Sequence, residues 1–315
     1  MDKRRLGRSD LELVPLMLGG NVFGWNVDEE TSFAILDAFV DAGFNAIDTA
    51  DSYSRWAPGH TGGESETIIG NWFKRSNKRS KVVIATKLGE DMGEGRSLKK
   101  DYVIRAAEAS LKRLQTDRID LLQTHFDDEL TPVEETMQGY AQLIAQGKVR
   151  AIGASNVGRE RLKASLAASK KLGIPRYESL QPLYNLSDRK EFETEYAPIC
   201  RAEGLGVINY YSLAAGFLTG KYRSLDEALR HPNRGGRLKR YADARGFGIL
   251  KALDMVATQH GATPAQVAIA WLIAQPLITA PIASATSLRQ LEEIMKGPQI
   301  KLSTHDLAVL DKGSA

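Results

Sequence analysis

The feature that most restricts how this chain can fold is an alternation. Short apolar runs, most of them rich in valine and isoleucine, alternate with longer amphipathic stretches, and the alternation places eight candidate strands along the 315 residues. The candidate strands are 16–19, 44–47, 82–86, 119–123, 149–153, 179–181, 207–209 and 278–282. The clearest helix face carries Val103, Ala106, Ala107, Ser110, Leu111 and Leu114, which recur at helical offsets. Strands that are apolar at nearly every position are covered on both faces, as parallel strands are when single helices cross between them. Eight such units predict an α/β fold, a closed (β/α)8 or TIM barrel, with an open doubly wound sheet as the alternative.

Two pieces stand outside the repeat before its end: a short hairpin is expected around residues 7–10, and residues 221–245 read as a long loop. Extra helices are expected after the last strand. No composition shift or Pro/Ser-rich linker divides the chain, so residues 1–315 are expected to form one domain. With 42 basic and 39 acidic residues the net charge is only +3, too balanced for nucleic acid to be the main partner. The single Cys200 excludes an internal disulfide and a multi-cysteine metal site. No charged residue occurs in 261–288, but Pro264, Pro276 and Pro281 interrupt it, and it reads as a buried helix and strand rather than a membrane span. The N-terminus lacks the apolar run of a secretory signal, and a cytoplasmic location is expected.

In such a barrel the chemistry is expected where the strands end. Asp48 and Tyr53 follow the second run, Lys87 ends "VVIATK", His125 ends "IDLLQTH", and Ser155 with Asn156 ends "VRAIGASN". Gln181 closes "ESLQ", and Tyr211 with Ser212 follows "GVINYYS". Each has an ordinary structural alternative: Asp48 a cap, Tyr53 a packing residue, Lys87 a rim charge, His125 a satisfied loop histidine. Together the four would ring one mouth, in a chain with five histidines.

The segments "DTADSY", "VVIATK", "LLQTH", "GASN", "SLQPLYN", "YYSLAAGFLTGKY" and "PIASATSLRQLEE" resemble, in order and nearly end to end, the pattern of the aldo-keto reductase superfamily. The resemblance implies a (β/α)8-barrel oxidoreductase that uses a nicotinamide cofactor, usually NADPH, without a Rossmann domain or a metal. It assigns a catalytic tetrad of Asp48, Tyr53, Lys87 and His125. Tyr53 would be the general acid that protonates the oxygen as hydride arrives, since a carbonyl so reduced becomes an alkoxide. Lys87 would ease its ionisation, Asp48 would hold Lys87 charged and in place, and His125 would orient and polarise the carbonyl.

No G-x-G-x-x-G follows the first strand, and "GFLTGK" is one residue short of a P-loop, which disfavours a Rossmann or nucleoside-triphosphate site. By resemblance Ser155, Asn156 and Gln181 would bond the nicotinamide carboxamide, and Tyr211 would stack on the ring. Ser212, Leu213, Gly216, Leu218, Gly220 and Lys221 match the pyrophosphate loop. Ser284 and Arg289 match positions on the adenosine 2′-phosphate, and Glu292 one on adenine. Many relatives carry lysine where this chain has Ala283 and asparagine where it has Glu293, so NADPH is expected over NADH by a reduced margin. Residues 221–245 hold eight Lys/Arg against three Asp/Glu and either fold over the cofactor phosphates or form a solvated basic loop.

Trp25 lies after the first strand, Trp56 three residues past Tyr53, and Phe126 directly after His125. They are expected to wall a mainly apolar pocket for a small-molecule carbonyl substrate, or else to pack loops onto the rim. The leading expectation is an NADPH-dependent aldehyde or ketone reductase. Its alternatives are a cofactor-binding regulatory barrel with little turnover and an aldolase-like barrel using Lys87 as a Schiff-base nucleophile.

Overall fold

The computed structural model describes residues 1–315 apart from 94 and 231–234. A hairpin opens the chain, with β1 (Arg4–Arg5) antiparallel to β2 (Glu12–Leu13). Eight parallel strands follow: β3 (Met17–Gly19), β4 (Ala46–Asp48), β5 (Val83–Leu88), β6 (Ile119–Thr124), β7 (Val149–Ser155), β8 (Tyr177–Gln181), β9 (Gly206–Val207) and β10 (Ile282–Ala283). They pair in the order β10-β3-β4-β5-β6-β7-β8-β9. A bridge between Val207 and Ile278 closes the ring, and the Ile282 N–H donates to the Asn209 carbonyl at 3.0 Å. The expected closed barrel forms and the open doubly wound sheet does not.

The helices α1 (Glu29–Asp41), α2 (Glu64–Ser76), α3 (Lys100–Arg113), α4 (Val133–Ala145), α5 (Arg159–Leu172) and α6 (Ala197–Glu203) cross between successive strands from β3 to β9. Between β9 and β10 come α7 (Leu225–Leu229), α8 (Gly235–Leu238), α9 (Ala244–His260) and α10 (Pro264–Ala274). After the barrel, α11 (Leu288–Lys296) and α12 (Thr304–Ser314) supply the expected C-terminal helices. The uncharged segment becomes α10, entered through Thr263 and Gln266 as a capping box and buried over most of its length, followed by a barrel strand. Among the described residues no helix is long and apolar enough to cross a membrane.

Two sequence expectations need correction. Residues 221–245 are not a plain loop: Ser224 caps α7, Asp243 caps α9, and Leu238 and Tyr241 are buried anchors between them. The basic composition hid two short helices, and residues 231–234 lie outside the described part. The last strand, Ile282–Ala283, begins where the expected 278–282 ends: Pro281 has no N–H for the ladder and only accepts, from the Met17 amide at 2.9 Å.

Side chains on a strand alternate between faces, and here the alternation carries the inside of the barrel from an apolar floor to a polar mouth. The hairpin residues Leu6, Leu11 and Leu13 plug the floor against Met17, Ala46, Ala85, Leu121, Ala151 and Ile208. Two residues further along each strand stand Asp48 after Ala46, Lys87 after Ala85, and Gln123 after Leu121. On the alternate face Ile47, Ile84 and Leu122 belong to the outer core against the helices. On β7 the second step is Gly153, where a Cβ would lie 2.2 Å from Ser179 Oγ, and the third is Ser155.

Candidate active site

The turn after β4 wraps around the end of the Lys87 side chain. Lys87 Nζ donates to Asp48 Oδ2 at 2.7 Å and to the Thr49 carbonyl at 2.7 Å, and lies 2.7 Å from Tyr53 Oη. All three partners come from residues 48–53. The turn is held to β5 by the Thr49 amide on the Ala85 carbonyl and the Asp51 amide on the Lys87 carbonyl, at 2.8 and 3.0 Å. Tyr53 Oη also donates to Asp48 Oδ2, at 3.2 Å. The ring of Tyr53 keeps part of its surface at the mouth, whereas Lys87 is 0% exposed.

His125 completes the group, with its ring edge-on to Tyr53 at 5.9 Å between centroids. Its Nδ1 lies 3.3 Å from Ser52 Oγ. With the Ser52 hydroxyl as donor, the imidazole keeps its proton on Nε2, the tautomer able to donate to a carbonyl oxygen. Burial first, then the Lys87 charge, hold the His125 pKa well below its ordinary value, so the ring is neutral at neutral pH.

Burial also lowers the Lys87 pKa, against the attraction of Asp48. Tyr53 moves the other way: burial first and the Asp48 carboxylate second raise its phenol well above the usual range. The resting site therefore holds a protonated tyrosine bridged to a cation. All four expected tetrad residues converge.

The residues matched to the nicotinamide form one connected network beside them. Gln181 Nε2 donates to Asp48 Oδ1 at 2.9 Å, Ser155 Oγ donates to the Gln181 carbonyl at 3.0 Å, and Asn156 Nδ2 donates to the His125 carbonyl at 2.9 Å. Tyr210 Oη donates to Asn156 Oδ1 at 3.0 Å. Gln123 Nε2 is buried without a hydrogen-bond partner in the same layer, an orphaned donor that a ligand amide would satisfy. Tyr211 is 37% exposed and held at φ 56° beside the network, an available ring face.

Downstream the chain takes three successive left-handed residues, Ala214, Ala215 and Gly216, at φ 48°, 56° and 93°. The turn closes on itself, with the Ala214 amide donating to the Tyr211 carbonyl at 2.7 Å and the Gly216 amide to the Leu213 carbonyl at 2.8 Å. Ser212 accepts from Asn209 Nδ2 at 3.1 Å, Leu218 is buried, Leu213 partly so, and Gly220 is left-handed. Lys221 lies over the Tyr222 ring at 5.0 Å. Across the barrel Ser284 Oγ donates to Asn21 Oδ1, while Arg289 and Glu292 are exposed on α11. The orphaned Gln123 amide, the open Tyr211 face and the exposed Arg289 are groups whose chemistry fits a dinucleotide.

The aromatic residues are contiguous. Trp56 packs on Trp25 at 5.7 Å and on Tyr53 at 5.9 Å, and Phe126 on His125 at 4.8 Å. Arg96 sits over the Phe126 ring at 4.4 Å.

Sequence reasoning missed Ser52 and Gln123, and also Asp51 and Glu66 below the tetrad. Ser52 and Asp51 lie inside the quoted motif and read as turn residues; Gln123 had a signal, its place two residues before His125 on an inward strand position.

Residues 15–314 match the profile of the Aldo/keto reductase family. The chain is 35% identical over 319 residues to the "Uncharacterized oxidoreductase YrpG" of Bacillus subtilis (strain 168), covering 99% of this chain and 95% of that protein. It is 32% identical to the "Aldo-keto reductase AMT2" of Alternaria alternata, covering 98% and 90% of the two chains. It is 30% identical to the "Protein tas" of Escherichia coli (strain K12), covering 99% and 97%.

Proposed function

The chain belongs to the aldo/keto reductase family and is an NAD(P)H-dependent oxidoreductase, and from that premise we propose that it reduces an aldehyde or ketone to an alcohol, with NADPH preferred, using Tyr53 as general acid. The observation that carries the reading is the 2.7 Å approach of Tyr53 Oη to Lys87 Nζ, beside a neutral His125.

A bound nicotinamide supplies the hydride. The chain's part is to hold the carbonyl and deliver the proton. His125 Nε2–H and Tyr53 Oη–H donate to the carbonyl oxygen, drawing charge toward it as the carbon is reduced. Tyr53 then gives up its proton to the developing alkoxide. The phenolate left behind is stabilised by the Lys87 ammonium, which Asp48 and the Thr49 carbonyl keep in place. In the reverse direction the same phenolate takes the alcohol proton.

Ser155, Asn156 and Gln181 would hold the carboxamide and Tyr211 the ring face; residues 212–221 would receive the pyrophosphate and Arg289 the 2′-phosphate. The two tryptophans favour an apolar carbonyl substrate. The test is NADPH oxidation followed over a panel of aldehydes and ketones, with Tyr53→Phe as control: cofactor binding should persist while reduction falls about 100-fold or more, the scale of losing a general acid. Activity near wild type in Tyr53→Phe overturns the assignment.

A further inference from the structure

Beneath the tetrad lies a second set of ionisable groups that the proton transfer above does not use. Asp51, in the same turn as Asp48 and Tyr53, is 2% exposed, and its Oδ1 is buried without a hydrogen-bond partner. Its amide donates to the Lys87 carbonyl, so the turn cannot shift without moving the lysine. Glu66 of α2 is 0% exposed, accepting from Thr86 Oγ1 and, at 2.7 Å, from Arg113 Nε of α3. The charged and titratable groups facing Asp51 are Lys87 from β5, Glu66 from α2, Arg113 from α3, Glu90 after β5 and Tyr140 from α4. Gly62 closes the loop over it, where a Cβ would meet the Asp51 carbonyl at 3.0 Å.

A carboxyl with one oxygen unpartnered at this depth is costly, and a turn of this kind is as well made by asparagine or serine. Resting on the carbonyl-reductase reading, we propose that Asp51 is a positioning residue of the active site, whose buried carboxyl sets the pH at which the Lys87–Tyr53 pair yields its proton. Burial first and Glu66 second raise its pKa well above the carboxylate range, against Arg113, so its charge changes later than that of a surface aspartate. Once ionised it favours the Lys87 cation and the neutral Tyr53 phenol, which delays release of the proton. Removing that charge should make the pair give up its proton at lower pH.

The full chain carrying Asp51→Asn tests this in two ways. The alkaline fall of kcat/KM for carbonyl reduction should move down by about half a pH unit or more, the scale of removing a nearby charge. The tyrosinate absorbance midpoint of Tyr53, taken against Tyr53→Phe, should move down with it. Uniformly lower activity with an unmoved midpoint would overturn the proposal as a merely structural role. If Asp51→Asn fails to fold, Asp51→Ser serves, since serine also makes such a turn: the Tyr53 tyrosinate midpoint should move down in the same way, and an unmoved midpoint overturns the proposal. The tyrosinate titration needs no turnover. A moved midpoint in a protein that reduces no carbonyl defeats the reductase reading alone, and an active enzyme with an unmoved midpoint defeats this inference alone.

Discussion

Gln181 Nε2 donates to Asp48 Oδ1 at 2.9 Å, while Lys87 holds the other oxygen of the same carboxylate at 2.7 Å. The amide matched to the nicotinamide and the carboxylate that anchors Lys87 are thus one hydrogen-bonded unit, spanning β8 and β4. On the proposed reading, cofactor contact and proton delivery share a part.

Gln181→Leu should therefore weaken NADPH binding and also slow the chemistry. The charge-assisted bond to Asp48 would be lost, and kcat should fall about 10-fold, the lower end for a hydrogen bond to a charged group. Binding is read by NADPH fluorescence titration and chemistry by single-turnover reduction. A weaker cofactor complex with unchanged single-turnover rate would show that Gln181 serves the cofactor only.

The depressed pKa of His125 predicts an acid limit to stability rather than a histidine-controlled limit to catalysis. In the unfolded chain the ring titrates near about 6.5, and in the folded chain well below that. Between those two values the unfolded state binds more protons, so stability falls as pH falls, by up to about 1.4 kcal/mol per pH unit. Above the unfolded value the contribution is fully present. Urea unfolding of wild type and His125→Asn at descending pH should show the steeper loss in wild type; parallel curves would mean that His125 is not held neutral.

The barrel was legible because its strands are apolar on both faces, and the meeting of Asp48, Tyr53, Lys87 and His125 because polar residues at strand ends are conspicuous against such runs. Lys87 after "VVIAT" is the plainest case. The rest was hidden for identifiable reasons. Ala214 and Ala215 take left-handed backbone that nothing in an alanine announces. Asp51 reads as one more turn carboxylate until α2 brings Glu66 down and the Gly62 loop covers it. Leu238 and Tyr241, too sparse among arginines to register as periodic, pin what composition presents as a free basic loop.

Arg289 stands exposed on α11, its side chain without an ion pair or hydrogen bond among the described residues and with alanine rather than lysine at 283. A guanidinium so placed can receive a phosphate without first giving up a partner. Arg289→Ala should raise the NADPH dissociation constant about 10-fold, the lower range for a charge-assisted contact, and leave that for NADH unchanged. Equal loss for both cofactors would mean that Arg289 does not read the 2′-phosphate.

The ring contacts running from Trp25 through Trp56 to Tyr53 make a prediction about substrate. Trp56 is 49% exposed, an unusual allowance for so large an apolar group unless a ligand covers it. Its centroid lies 5.9 Å from that of the proposed acid, close enough for a bulky carbonyl bonded to Tyr53 to rest on the indole. Trp25 buttresses it edge-on, with its Nε1 donating to the Asn21 carbonyl at 2.6 Å, so the wall is held in place before any ligand arrives. An aromatic or alicyclic ketone gains by covering that wall, whereas an open-chain sugar leaves hydroxyls unpaired against it, at roughly 1–3 kcal/mol for each one buried. In wild type kcat/KM should therefore favour the bulky apolar ketone over a short sugar aldehyde. Trp56→Ala should lower kcat/KM for the ketone about 10-fold or more, the scale of losing a large apolar contact, and leave the sugar nearly untouched. Trp25→Ala should act in the same direction more weakly, through the freed Trp56 ring. Preference for the sugar in wild type, or a ketone rate indifferent to both substitutions, would leave the tryptophans as rim packing and nothing more.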